Sequence, residues 1–442
     1  MAVPVLPGYR LATRSFLTLP QFFMDLTREH GPVVAFRNFR RRIYLITEPA
    51  LVEEVLVSKG AAFMKGRGTQ RLALLLGRGL LTLEQPEHLR HRRLIQPAFH
   101  RKRVDAYASI MVGETAARVA SWHDGEIVDV DQETNGLALD IVAKSVFGSD
   151  LSGDIDVISR ALSDAISTFP ASMLPFSELF DNLPLPHIVR QRNAKKALAG
   201  VVYRMIREHR AGGGDPNDLL SMLLEARDET GAPGLSDEQI HDEALTILLA
   251  GHETTANAMA WAFYLLERHP DVRARAYANV DEVLGERPAT AADVPRLEYV
   301  RAVLAETMRL YPPAWVTARK ALEAVEIGPL RLARGDIAIV SPYVSGRDPR
   351  YFTDPERFDP DRWAGAAPPK FAYFPFGGGN RLCIGEPFAW MEGILVVATI
   401  LQRARLERVD AEEVATLPLV TLRPRTPIRA RVQLRTRSLE LA

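Results

Sequence analysis

Cys383 is the only cysteine among 442 residues, and it lies in the run Phe374-Pro-Phe-Gly-Gly-Gly-Asn-Arg-Leu-Cys-Ile-Gly-Glu-Pro-Phe388. Glycine lets a backbone turn tightly and approach a flat ligand closely. A turn of that kind aims backbone N–H groups at the sulfur, which lowers the thiol pKa and favours the thiolate that binds metal. Phe376, Leu382 and Ile384 make the surroundings dry, and Arg381 suits an anionic group on the same ligand. A lone cysteine is usually a small buried hydrophobe. The spacing Phe376-x-x-Gly379-x-Arg381-x-Cys383-x-Gly385 argues here for a metal-ligating thiolate.

A second constellation lies between Ser236 and His269. Ser236 with Gln239 forms a capping box, and His269-Pro270 is a stop signal. Some thirty helical residues fit between them, about 50 Å of helix at 1.5 Å per residue. The centre, Thr246 to Thr255, is apolar nearly all round, which predicts a buried helix. Gly251 and Glu253 in such a place are costly, so they need a reason. The Thr254 hydroxyl can bond the Ala250 carbonyl one turn back and loosen the helix locally. The product is a small groove suited to a diatomic ligand.

Weaker signals lie elsewhere. His88 and Arg92 are four residues apart and share a helix face. Glu306 and Arg309 are an i, i+3 pair near the end of another helix, and Arg357 follows in Pro355-Glu-Arg-Phe358. The stretch Arg90 to Arg103 is strongly basic, either a solvated face or a docking patch for an acidic partner.

The elements that must position these groups are mostly helical. A helix around Gln21–Glu29 precedes two strands, Val33–Phe36 and Ile43–Ile46, joined by a basic turn. Glycines at 66, 68, 77 and 79 predict a loop without a long helix. Residues 104–235 read as amphipathic helices broken by a loop at Gly212 to Asn217. Phe169–Pro186 is apolar and Pro-rich, either core or a lid. Strands are predicted at Val325–Ile327, Leu330–Leu332 and Ile337–Val340, then a meander from Asp348 to Trp363. A last helix runs to Leu401, and strands close Leu417–Arg435.

Net charge is zero, which argues against nucleic-acid binding driven by overall charge. One cysteine excludes a disulfide framework and fits a reducing cytoplasm. No apolar run approaches the roughly 20 residues of a membrane span.

Taken together, the Cys383 loop, the Ala250-Gly251-x-Glu253-Thr254-Thr255 motif and the Glu306/Arg309/Arg357 set resemble the cytochrome P-450 superfamily. The resemblance covers Ser236 to Gly393 with high specificity, extends to the His88–Arg92 helix, and is only general over residues 1–80. It implies a mainly α fold with a smaller β region, one triangular domain over residues 1–442 without a fused reductase. It implies heme b (iron protoporphyrin IX) ligated by Cys383. Arg381, Phe376, Arg319, His88, Arg92 and Ala250 would contact the haem. Thr254 and Glu253 would deliver protons to bound oxygen, and Glu306, Arg309 and Arg357 would form a buried structural cluster. Leu249, Trp315, Val316 and Val420 would touch substrate.

The expected activity is monooxygenation, hydroxylating a C–H bond or epoxidising a lipophilic substrate such as a terpenoid, carotenoid or fatty acid. O2 and two electrons would come in, the latter from a separate ferredoxin or flavodoxin and its reductase. The resemblance points to a soluble bacterial-type member, cytoplasmic and monomeric. Two alternatives remain at this point: a haem protein that binds or senses a ligand without turnover, and a peroxide-driven oxygenase.

Overall fold

The computed structural model describes residues 3–435 apart from 39, 175, 213–217 and 228–233. The expected glycine-rich loop at 212–217 therefore falls almost wholly outside the described residues. The architecture is a mostly helical body with a smaller sheet region against one side.

The long helix is Asp237–Arg268, 32 residues, and both arms of its Ser236/Gln239 capping box are made. From Ile240 to Leu266 nearly every residue is buried, because neighbouring helices surround it. Val130–Phe147 packs along it more extensively than any other element, and Glu386–Arg403 and Glu298–Leu310 also lie against it. These elements share one large apolar core. Burying its leucine- and valine-rich faces contributes about 25 cal/mol per Å² of apolar surface removed from water.

The main sheet has six strands in the order Val5–Pro7, Val33–Asn38, Arg41–Ile46, Ile337–Val340, Thr317–Ala321, Phe63–Lys65. The first two strands that sequence patterning predicts are thus longer than expected, and the basic turn between them is correspondingly short. Val325–Ile327 and Leu330–Leu332 form their own hairpin about Gly328. Glu386–Arg403 runs two residues past its expected end and passes directly into a strand, Ala404–Arg408, that the pattern does not reveal. That strand pairs antiparallel with Arg429–Leu434.

One expectation is overturned. The segment read as a loop contains a ten-residue helix, Arg67–Leu76. Gly66 and Gly77 stand at its two ends, as N-cap and C-cap, so they delimit the helix without interrupting it. Gly66 is required by the strand beside it: a Cβ there would lie 2.5 Å from the Ala318 Cβ.

Candidate active site

A cavity of about 470 Å³ opens between the long helix and the Cys383 loop. Gly377 and Gly379 both adopt positive φ, and Gly379 could not carry a side chain, since its Cβ would fall 2.1 Å from the Leu56 carbonyl. The turn closes through the Cys383 N–H, which donates to the Phe376 carbonyl at 3.0 Å. Phe376 lines the cavity and packs on Trp390, ring centroids 5.8 Å apart.

The Cys383 sulfur is enclosed by protein yet accessible, because it faces this internal space. The N–H groups of Gly385 and Glu386 lower its pKa as the glycine-rich turn implies, and Arg92 does the same. Burial is the larger effect, however, and it pushes the thiol above its ordinary range. A positive centre within the cavity is what would favour the thiolate.

Five cationic or imidazole side chains line one part of the cavity: Lys65, His88, Arg92, Arg319 and Arg381. Arg381 donates to the Leu83 carbonyl at 2.8 Å and to Glu84 at 2.7 Å. Arg92 donates to the Leu382 carbonyl at 2.8 Å, joining its helix to the Cys383 loop. Lys65 is absent from the sequence-derived set, although it is buried and donates to the carbonyls of Leu80 and Leu83. Strand pairing sets it directly opposite Arg319. Burial and the charge of Arg381 hold Lys65 at about 7 and Arg319 at about 10. His88 is held at about 3 by burial and by Arg381, Lys65 and Arg92, so it is neutral.

On the long helix, the Thr254 hydroxyl donates to the Ala250 carbonyl at 2.8 Å, the local bond expected from the sequence. Ala250, Gly251, Glu253 and Thr254 all line the cavity. The Glu253 carboxylate accepts from the Arg423 guanidinium at 2.9 Å and from the Thr421 hydroxyl. Asp131 feels both Arg423 and Glu253, and burial raises it to about 6. Glu392, on the helix after the Cys383 loop, is fully buried, and burial raises it well above the carboxylate range despite the Thr255 hydroxyl.

Two expectations need correction. Glu306 accepts two bonds from Arg309, at 2.9 and 2.8 Å, but its second arginine is Arg362 at 2.8 Å. Arg357 is exposed and offers only its carbonyl, to Arg309 at 2.9 Å. The Trp363 indole completes the cluster at 3.0 Å. Trp315, expected at substrate, does not line the cavity: its buried indole donates to the Leu419 carbonyl at 3.1 Å and packs in the core beside the sheet. Leu249, Val316 and Val420 do line it.

Two segments beside the cavity-lining elements are anchored unequally. The turn at Gly77–Leu80 is held to the long helix, Arg78 N–H to Asp242 at 2.6 Å and Leu80 N–H to Glu243 at 2.9 Å. His91 adds a buried contact to Glu243 at 2.6 Å. In the other segment, Leu174, Phe176 and Leu179 are exposed. This segment is tied to Arg67–Leu76 by Arg67–Glu178 at 2.9 Å and a bidentate Arg71–Asp181 pair at 2.6 and 2.5 Å.

Residues 6–429 match the family described as cytochrome P-450. The chain belongs to the cytochrome P-450 family. It is 37% identical to cyclooctatin synthase of Streptomyces melanosporofaciens, over 91% of this chain and 89% of that one. It is 34% identical to pentalenene oxygenase of Streptomyces avermitilis, over 94% and 93%. The crystal structure of a 6-coordinated cytochrome P-450 from Thermus thermophilus superposes with TM-score 0.75 at 29% identity, covering 98% of this chain and all of that one.

Cytochrome P-450 proteins are oxidoreductases that use a haem iron, O2, a redox partner and a lipophilic substrate. The residues present fit a haem. One thiol faces the cavity, and the Lys65–Arg319–Arg381 group crowds like charges that a dianion would relieve. When bound, haem supplies the iron that activates dioxygen. Among the described residues, no helix is long and apolar enough to cross a membrane.

Proposed function

We propose that this cytochrome P-450 inserts one oxygen atom of O2 into a C–H bond, or across a double bond, of a terpenoid. In this reading the cofactor is heme b, with Cys383 as its sulfur ligand. Lys65, Arg92, Arg319 and Arg381 hold its carboxylates, and neutral His88 offers a hydrogen bond. Electrons come from a separate ferredoxin or flavodoxin and its reductase.

The observation that carries the reading is the wall away from Cys383. Leu72, Leu76, Ile166, Leu249, Val316 and Val420 line it, while every lysine and arginine of the cavity belongs to the cluster around Arg381. An apolar wall favours a lipophilic substrate, and a fatty acid would find no cation there for its carboxylate. Terpenoids are favoured over fatty acids by the relatives as well, which are named for cyclooctatin and pentalenene.

Thr254 and Glu253 are proposed to supply protons. Glu253 is paired with Arg423, so it must exchange that partner for water near Thr254 during each delivery. The peroxide-driven alternative has no need of such a pair, and a ligand sensor has no need of either residue.

The test is product analysis of haem-loaded protein with reduced carrier and a terpenoid panel. An oxygenated product is expected, and Thr254→Ala should lose at least about tenfold in product while electron consumption continues as peroxide. Tight spectral shifts without any product, given competent carriers, would instead establish a sensor.

A further inference from the structure

Three bonds converge on one oxygen of Glu253. Arg423 donates to Oε1 from Nε and from Nη2, each at 2.9 Å, and the Thr421 hydroxyl donates to the same atom. The Asn257 amide donates to the Thr421 oxygen at 3.2 Å, which leaves the hydroxyl proton for Glu253. Thr421 and Glu253 are buried, and both line the cavity. Proton supply through Glu253 therefore has to undo a grip whose two members sit on one short hairpin, Thr416–Pro418 paired with Leu422–Pro424.

The tip of the same hairpin meets the cavity. Val420, next to Thr421, lines the apolar wall and keeps accessible surface. The backbone on either side of these two residues is pinned. The Leu419 carbonyl accepts from the Trp315 indole at 3.1 Å. Leu422 donates its N–H to the Pro313 carbonyl at 3.0 Å and accepts from the Trp261 indole at 3.0 Å. Only Val420 and Thr421 lie between those anchors. A displacement at Val420 is therefore delivered to Thr421, because close-packed groups transmit strain to their neighbours. When the grip on Glu253 opens, Arg423 is not stranded, since Asp131 also lies within its field.

We infer that Thr421 and Arg423 are positioning residues for proton supply, and that a molecule pressing on Val420 loosens their hold on Glu253. The hairpin thereby withholds Glu253 while the cavity is empty and frees it once a substrate is in place. Thr421 and Arg423 transfer nothing themselves; they set when Glu253 can reach water near Thr254. This rests on the reading of Glu253 as a proton donor given above.

The experiment uses haem-loaded protein with clotrimazole, a bulky aryl imidazole whose ring nitrogen binds haem iron, as the occupant. Infrared difference spectra with and without it should show a shift of the Glu253 carboxyl band, identified by its absence in Glu253→Gln. Val420→Ala should shrink that shift. Thr421→Val, which keeps the side chain's shape, should displace the band before any ligand is added, and Thr421→Ser should restore it. Arg423→Met would leave Glu253 buried without its guanidinium and endanger the fold, so the threonine variants carry the test. With reduced carrier and no substrate, Thr421→Val should consume electrons up to about tenfold faster than the unaltered protein, as the loss of one hydrogen bond allows. A Glu253 band that clotrimazole leaves in place, or that shifts equally in Val420→Ala, overturns the inference. So does unchanged electron consumption in Thr421→Val. Failure of the proton-donor reading looks different: Glu253→Gln would then consume electrons and release peroxide as the unaltered protein does, whatever the band shows.

Discussion

Lys65 and Arg319 face each other across antiparallel strands, a relation in which like charges repel. Lys65 is held at about 7, so in cofactor-free protein it is mostly neutral above that pH. Carboxylates placed beside it raise its pKa, so porphyrin binding takes up a proton. Affinity gained this way is complete below pH 7 and is lost as pH rises through the raised value, up to about tenfold per unit. Titrating cofactor-free protein with haem from pH 6 to 9 should show that decline, and Lys65→Met should flatten it. An identical slope in both proteins would remove Lys65 from the carboxylate site. Sequence alone discloses Cys383, Arg381, His88 and Arg92 because each belongs to a short local pattern. Lys65 is invisible there, since only the pairing of strands some 250 residues apart brings it to Arg319. Trp315 misleads for the opposite reason. Its neighbour Val316 does reach the cavity, and successive side chains in extended chain point to opposite sides.

Between elements, the Glu306 cluster ties the helix Glu298–Leu310 to the meander that follows the sheets. Glu306 and Arg309 are fully buried, and Arg309 also donates to the carbonyls of Gly346 at 2.7 Å and Pro355 at 2.6 Å. Removing either member strands a buried charge, which costs about 3–5 kcal/mol. Arg309→Met should therefore fold poorly or melt far lower in thermal denaturation. Arg362→Ala should also lower the melting temperature, whereas Arg357→Ala should leave it within about 1 °C, as expected for an exposed side chain. The reverse order would restore Arg357 to the cluster. The Glu306–Arg309 half was legible because helix geometry fixes an i, i+3 pair. The third member was not, because a meander without period gives no rule for which of two arginines turns inward. The long helix was legible from cap to stop for the same reason that it folds: its capping box and its length are written locally. The helix Arg67–Leu76 was obscured because glycines that bound a helix look, in sequence, like glycines that break one.

At the scale of the molecule, Arg93, Arg101 and Lys102 are exposed and have no ion-pair partner among the described residues. Arg93 lies on the helix that Arg92 fastens to the Cys383 loop, and Arg101 and Lys102 come soon after it, so this basic stretch is joined to the loop that carries the sulfur. It suits an acidic electron carrier, whose approach would be steered by charge. Arg93→Glu combined with Lys102→Glu should slow reduction by an acidic ferredoxin about tenfold or more, and less so at high salt. Reduction by dithionite should be unaffected. Unchanged ferredoxin kinetics would move the docking site elsewhere.

The unequal anchoring of these two segments has a consequence in salt. The Gly77–Leu80 turn is fixed by bonds to the long helix, while the stretch from Phe176 to Leu183 is tied by one half-exposed ion pair, Arg67–Glu178, and one largely buried pair, Arg71–Asp181. Counterions weaken Arg67–Glu178 and barely reach Arg71–Asp181 or the bonds of the turn. Added salt therefore strips one of the two ties and leaves the other, so the segment stays fastened through Arg71.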